Sequence, residues 1–176
     1  MSIDTKTVSR RILKFAALDD IVAEVERLNQ GKVRALGNWT PGQILKHLAI
    51  VMVWSLDGAP VKAPWIARIF GWFMKNRFIS NPMPAGFKLP DESAAHLVPG
   101  PTTWEEGLQA FRAAIARLKA ENQRQPSPFL GELTREQWDM LHCRHSELHL
   151  SFLDTEPASL PLSTPGRGNR GEGAGA

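Results

Sequence analysis

The sequence predicts an all-α fold, a four-helix bundle with a long connection between its second and third helices. Three observations carry this expectation. The motifs Thr40-Pro41-Gly42-Gln43, Thr103-Trp104-Glu105-Glu106 and Thr134-Arg135-Glu136-Gln137 each set a threonine three residues before Gln or Glu. In that pattern the hydroxyl accepts from the third helical amide while the third residue's side chain reaches back. Each motif is followed by apolar residues at alternating spacings of three and four, the stripe of a helix packed on one face. Strand signals are scarce: residues 11–15 could form a short extended piece, but nothing offers it an obvious partner.

The first helix is expected to start near Asp19 as N-cap, run through Ile21, Val25 and Leu28, and stop at Gly31. In the second, Pro41 takes the first helical position, where its missing N–H costs nothing. Its stripe is Ile44, His47, Val51 and Trp54, and it is apolar nearly all round, which makes it central. The connection over 57–101 holds seven of the thirteen prolines and reads mostly as turns and loops. Within it, Trp65, Ile66, Ile69, Phe70, Trp72 and Phe73 repeat at helical spacing between Arg68, Lys75 and Arg77. This is a short amphipathic helix over 65–78, expected to cover one end of the bundle. Aromatic stripes usually pack into a core; a lid and a membrane-surface helix are the alternatives. The third helix turns Leu108, Phe111, Ile115 and Leu118 inward, and Gln109, Arg112, Arg117 and Lys119 outward. The fourth runs from Thr134 to about Leu153. Residues 1–154 thus form the bundle. Residues 155–176 are mostly Pro, Ser, Gly and Ala, with no large apolar residue after Leu162, and read as a flexible tail.

Composition narrows the function classes. The chain has 176 residues, 43% hydrophobic and 22% charged, which suits one water-soluble domain. Cys143 is the only cysteine, so no intramolecular disulfide can form and a reducing, cytoplasmic setting is expected. The net charge of +3 is a small excess without blocks of one sign, so nucleic acid is not implied. Ser9-Arg10-Arg11 is followed by a short apolar stretch that contains Lys14 and ends at Asp19-Asp20, so it does not read as an export signal. The apolar run over 48–54 is far too short to cross a bilayer, so no membrane span is expected.

The chemistry lies in the histidines. The stripe of the fourth helix is Trp138, Leu141, His145, Leu148 and Phe152, so His145 occupies an inward position. His149 lies one turn on, about 40° around the helix and on the same face. His47, in the stripe of the second helix, is a third inward histidine. A single inward histidine is usually a satisfied core residue. Two at i, i+4 with a third on another buried helix suit a three-histidine metal site with an open fourth position. His142 falls within about 60° of the same face and reads as a partly exposed surface residue, or else as a partner of the ligands or a substitute for one. His96 reads as a loop residue. Glu147 stands about 160–200° from the histidine pair, so His145-Ser146-Glu147-Leu148-His149 is not the H-E-x-x-H of zinc proteases. Glu-x-x-His pairs, Gly-rich phosphate loops and G-x-S-x-G elbows are absent, and Cys143 lies off the His145 face. With no evident general base, catalysis would lean on the metal to depress the pKa of a bound water or thiol.

Residues 37–49, Gly-Asn-Trp-Thr-Pro-Gly-Gln-Ile-Leu-Lys-His-Leu-Ala, followed by Leu133-Thr134-Arg135-Glu136-Gln137-Trp138 and by His145 and His149, resemble the DinB-like (YfiT-like) metalloenzyme superfamily, within it an uncharacterised bacterial branch. The resemblance covers roughly residues 11–153. It implies a four-helix bundle and a divalent metal, commonly zinc or nickel, held by three histidines, which by position are His47, His145 and His149. It also implies a small-molecule substrate, with low-molecular-weight thiols used by characterised relatives. A hydrolase or thiol S-transferase is therefore expected, with a non-catalytic metal- or small-ligand-binding module as the alternative. Bundles of this kind often pair, which adds a homodimer to the expectations. Many relatives carry a polar residue, often Gln, shortly after the last histidine, where this chain has Leu150-Ser151-Phe152.

Overall fold

A computed structural model of the chain describes residues 3–61, 64–86 and 91–156. Among these the protein is mostly helical, with α1 (Leu18–Asn29), α2 (Pro41–Asp57), α3 (Trp65–Ser80), α4 (Asp91–Leu97), α5 (Trp104–Ala120) and α6 (Arg135–Leu150). The three threonine motifs start α2, α5 and α6 in the expected manner. Thr40, Thr103 and Thr134 accept from the amides of Gln43, Glu106 and Gln137, and the side chains of those residues accept from the threonine amides in return. At α1 the expected cap shifts: Ala17 is the N-cap and Asp19 lies in the first turn. Ala17 has no side chain to do the capping. The Asp20 carboxylate does it instead, accepting from the Ala16 and Ala17 amides at 2.7 and 3.1 Å.

A small antiparallel sheet was not expected. β1 (Val33–Ala35) pairs with β2 (Leu153–Thr155), Val33 opposite Thr155 and Ala35 opposite Leu153. The fourth predicted helix therefore ends at Leu150, before Phe152, and the chain turns out at Ser151 into β2. Residues 11–15 are not a strand, although the Arg11 amide donates to the Ser151 carbonyl at 3.3 Å. The sheet includes Thr155, and the Glu156 amide donates to the Lys32 carbonyl. The predicted tail lies outside the described residues from 157 onward.

The four helices that carry the core, α1, α2, α5 and α6, pack α1 and α2 each against both α5 and α6. Their shared core includes Ile21, Val25, Leu28, Leu45, Leu48, Met52, Phe111, Leu118 and Leu150, all nearly inaccessible to solvent. Within this core the backbones come close at the starts of α2 and α5. A Cβ on Gly42 would lie 2.2 Å from the Thr103 carbonyl oxygen, and one on Gly107 would lie 2.4 Å from the Gly42 carbonyl oxygen. Only glycine permits backbones this near.

The 65–78 expectation is half corrected. A helix forms, but its aromatic stripe does not pack. α3 meets α6 and the 129–133 turn through Gly71 and Ile79, and a Cβ on Gly71 would fall 1.9 Å from the Phe129 carbonyl oxygen. The glycine face makes the contact. Trp65, Ile66, Ile69, Phe70, Trp72 and Phe73 are left 51–72% exposed.

The N-terminal segment braces α6. Arg11 donates through Nε to the Leu153 carbonyl and through Nη2 to the Leu150 carbonyl, and its Nη1 lies 2.7 Å from Glu24 on α1. One guanidinium thus joins three segments and satisfies a carbonyl that the end of the helix leaves open.

Candidate metal centre

α2 and α6 bring three imidazoles together. His47 is buried at 3% exposure on α2, and His145 and His149 are half-buried on α6. One nitrogen from each ring lies within 4.8 Å of the other two. The rings pack on one another, with centroids 5.0 Å apart for His47 and His145, 4.5 Å for His47 and His149, and 4.6 Å for His145 and His149.

Hydrogen bonding sets the state of His47. Its Nδ1 lies 2.7 Å from the Leu97 carbonyl oxygen at the end of α4. A carbonyl only accepts, so Nδ1 carries the proton and Nε2 presents its lone pair. That Nε2 is 3.2 Å from Nε2 of His145. Two donors sharing a tetrahedral ion with bonds of about 2.0–2.1 Å stand about 3.3 Å apart. The spacing, the fixed tautomer and the all-imidazole donor set fit a divalent metal. The backbone carbonyl on the far nitrogen is the partner that metal-bound histidines usually have.

Electrostatics favour neutral rings. Burial lowers the pKa of His47 below the ordinary histidine value, only partly opposed by the Leu97 bond. Burial also holds His145 and His149 well below it, and the neighbouring imidazoles push the same way. Near neutral pH all three keep free lone pairs.

A family model described as "Protein of unknown function (DUF1569)" matches residues 7–156. The chain belongs to the DUF1569 family. Searches of curated proteins and of solved structures return no match. The stretch shared with DUF1569 takes in all three histidines, the helices that carry them and both strands.

Trp39 was missed in the sequence as part of the site. It sits just before the Thr40 cap, its ring parallel to His149 with centroids 5.6 Å apart and edge-on to His47 at 4.9 Å. The signal available was its position one residue before the cap of the helix that carries His47. In this DUF1569 chain the indole walls the imidazole group on one side.

Other residues singled out in the sequence lie elsewhere. His142 is not at the surface: it is 2% exposed and stacks on Trp138. Ser55 Oγ donates to the Met52 carbonyl, so it accepts from His142 Nε2 at 3.0 Å. This bond ties α2 to α6 outside the three-histidine group. Burial, with the nearby Arg124 charge, lowers the His142 pKa to about 3. Glu147 faces away from the histidines as expected, yet it is buried. Its Oε1 accepts from the Phe15 amide at 2.6 Å and lies 3.0 Å from Arg144 Nη1. Arg144 in turn donates to the Phe15 carbonyl. Cys143 is buried in the core, where desolvation pushes its thiol up to about 11, too high for an attacking thiolate. His96 is exposed on α4 and is not a loop residue. Ser151, after the last histidine, donates to the Leu148 carbonyl and accepts from Arg10. No carboxylate joins the histidine group among the described residues.

Proposed function

We propose that this DUF1569 protein is a metal-dependent enzyme of DinB-like type, its four core helices forming the four-helix bundle of that superfamily and His47, His145 and His149 holding one divalent ion, zinc or nickel. The single observation carrying this reading is the convergence of three neutral imidazoles with the far nitrogen of His47 locked by the Leu97 carbonyl. A bound ion would supply Lewis acidity, lowering the pKa of a water or thiol in its open position. The chain's own contribution is positional. Leu97 fixes the His47 tautomer, the i, i+4 spacing aligns His145 with His149, and Trp39 shields the rings from water on one side.

Among the described residues no carboxylate joins the group, which favours thiol chemistry over hydrolysis, because a thiol on the ion loses its own proton whereas water attack gains from a base. A low-molecular-weight thiol with an electrophilic co-substrate is the proposed substrate pair, in a cytoplasmic setting. The same observation also supports a second reading, a non-catalytic module that binds a metal or small ligand.

Elemental analysis of untagged protein tests the site. About one transition-metal ion per chain is expected, and none in His47→Ala. An equal metal content in both proteins would remove the assignment. Titrating the cobalt-loaded protein with thiols then separates the readings. A thiolate charge-transfer band and turnover of a thiol-reactive electrophile mark the enzyme, and metal binding without either marks the module.

A further inference from the structure

We propose that α3 is a docking face for an anionic lipid surface, with its apolar side seated among the headgroups and its cations on lipid phosphates. The proposal is independent of the metal site.

Six large apolar side chains of α3 are exposed, led by Phe73 at 72% and Trp65 at 70%. At about 100° per residue they fill one continuous arc of about 160°. Ile69 and Phe73 stand near its middle, and Trp65 and Trp72 at one edge. Soluble monomers rarely leave so large a contiguous apolar surface in water unless it binds something. Gly71, on the opposite side, fastens the helix to the 129–133 turn, so the arc is presented outward on a supported backbone.

Charge identifies the partner. Between Asp57 and Asp91 the sequence holds Lys62, Arg68, Lys75, Arg77 and Lys88 and no Asp or Glu. The whole chain carries only +3, so the rest of it is net negative and the positive charge is concentrated here. Arg68 and Arg77 are exposed and lie at opposite edges of the apolar arc. Aromatic and aliphatic side chains between flanking cations, with indoles at the rim, are the pattern of a helix lying in the plane of a negatively charged membrane interface. No described helix is long and apolar enough to cross a membrane, so the contact is peripheral.

Other occupants fit less well. A second copy docking through the same face would set arginines against arginines, with no acid on α3 to pair them. Residues 157–176 offer Leu160 and Leu162 as their only large apolar side chains, too few to cover six.

The test is sedimentation of the full chain with vesicles of phosphatidylcholine containing about one-third phosphatidylglycerol, and with phosphatidylcholine alone. Binding to the anionic vesicles is expected at low salt, at least about tenfold weaker to neutral vesicles or at high salt. Trp65→Ser with Phe73→Ser should lower the partition coefficient by about tenfold or more, as should Arg68→Glu with Arg77→Glu. These side chains are exposed, so circular dichroism and the melting temperature should stay near wild type. A blue shift of tryptophan emission on adding anionic vesicles is the second readout. No binding at low salt, binding indifferent to lipid charge, or unchanged binding by both double variants would overturn the proposal. So would a concentration-dependent dimer abolished by Phe73→Ser in protein that ignores vesicles, because the face would then belong to self-association.

Discussion

His142 shows how one buried side chain can set the acid response of the fold. In the unfolded chain it takes up a proton near pH 6.5, and in the native protein only near pH 3. Across that window the unfolded state binds more protons, so stability rises with pH and falls on acidification, by up to about 1.4 kcal/mol per pH unit. In metal-free protein, His145 and His149 act in the same direction. We expect the urea midpoint to fall between pH 7 and pH 5 and His142→Leu to flatten that slope; an equal slope in the variant would contradict this. Glu147 has a different role. Its carboxylate and Arg144 hold both backbone groups of Phe15, so Glu147→Ala should cost about 3–5 kcal/mol by leaving Arg144 without its partner. Metal content per folded chain should be unchanged, which elemental analysis alongside urea unfolding would check. The inward direction of His47, His145 and His149 was legible because their spacing follows the apolar stripes. The burial of His142, Arg144 and Glu147 was not, because α6 is covered on more than one side and helical periodicity marks only one buried face.

Helix beginnings were the most readable elements, since the capping chemistry of Thr40, Thr103 and Thr134 is local and needs no tertiary partner. The strands were unreadable for the opposite reason. Three residues contain too little period to register, and Val33–Ala35 becomes a strand only because Leu153–Thr155 arrives beside it. The α3 stripe was read correctly as helical, but which face would be covered depended on Gly71 meeting Phe129, a contact that no local pattern encodes. Where α2 and α5 cross, the obstructing atoms are backbone and cannot swing aside. Gly42→Ala should therefore destabilise by roughly 1–3 kcal/mol or more. That corresponds to a fall of about 3–10 °C in melting temperature, with metal affinity reduced if the start of α2 shifts. A calorimetric scan showing Gly42→Ala as stable as wild type would contradict the close approach.

At the level of the whole molecule, the proposed metal site and the fold share their supports. α2 and α6 are joined by the imidazole group near His47 and, two turns further along α2, by the bond from His142 to Ser55. An ion held by the native arrangement and not by the unfolded chain stabilises by mass action, about 2.7 kcal/mol at a hundredfold excess over Kd. Stripping the ion with a chelator should then lower the melting temperature by roughly 5–10 °C, with no such loss in His47→Ala. Differential scanning calorimetry with and without chelator measures both. The separation of the three nitrogens along the chain has a further consequence. His145 and His149 are one turn apart and can act as a two-toothed grip wherever that turn is helical, whereas His47 is 98 positions away from His145 and joins only when α2 lies against α6. If the site holds an ion as proposed, any partial opening that lifts α2 would leave that ion on two nitrogens and free to escape. The speed with which the ion exchanges into a competing chelator would therefore report how often the two helices part, making metal release a readout of the protein's large-scale breathing.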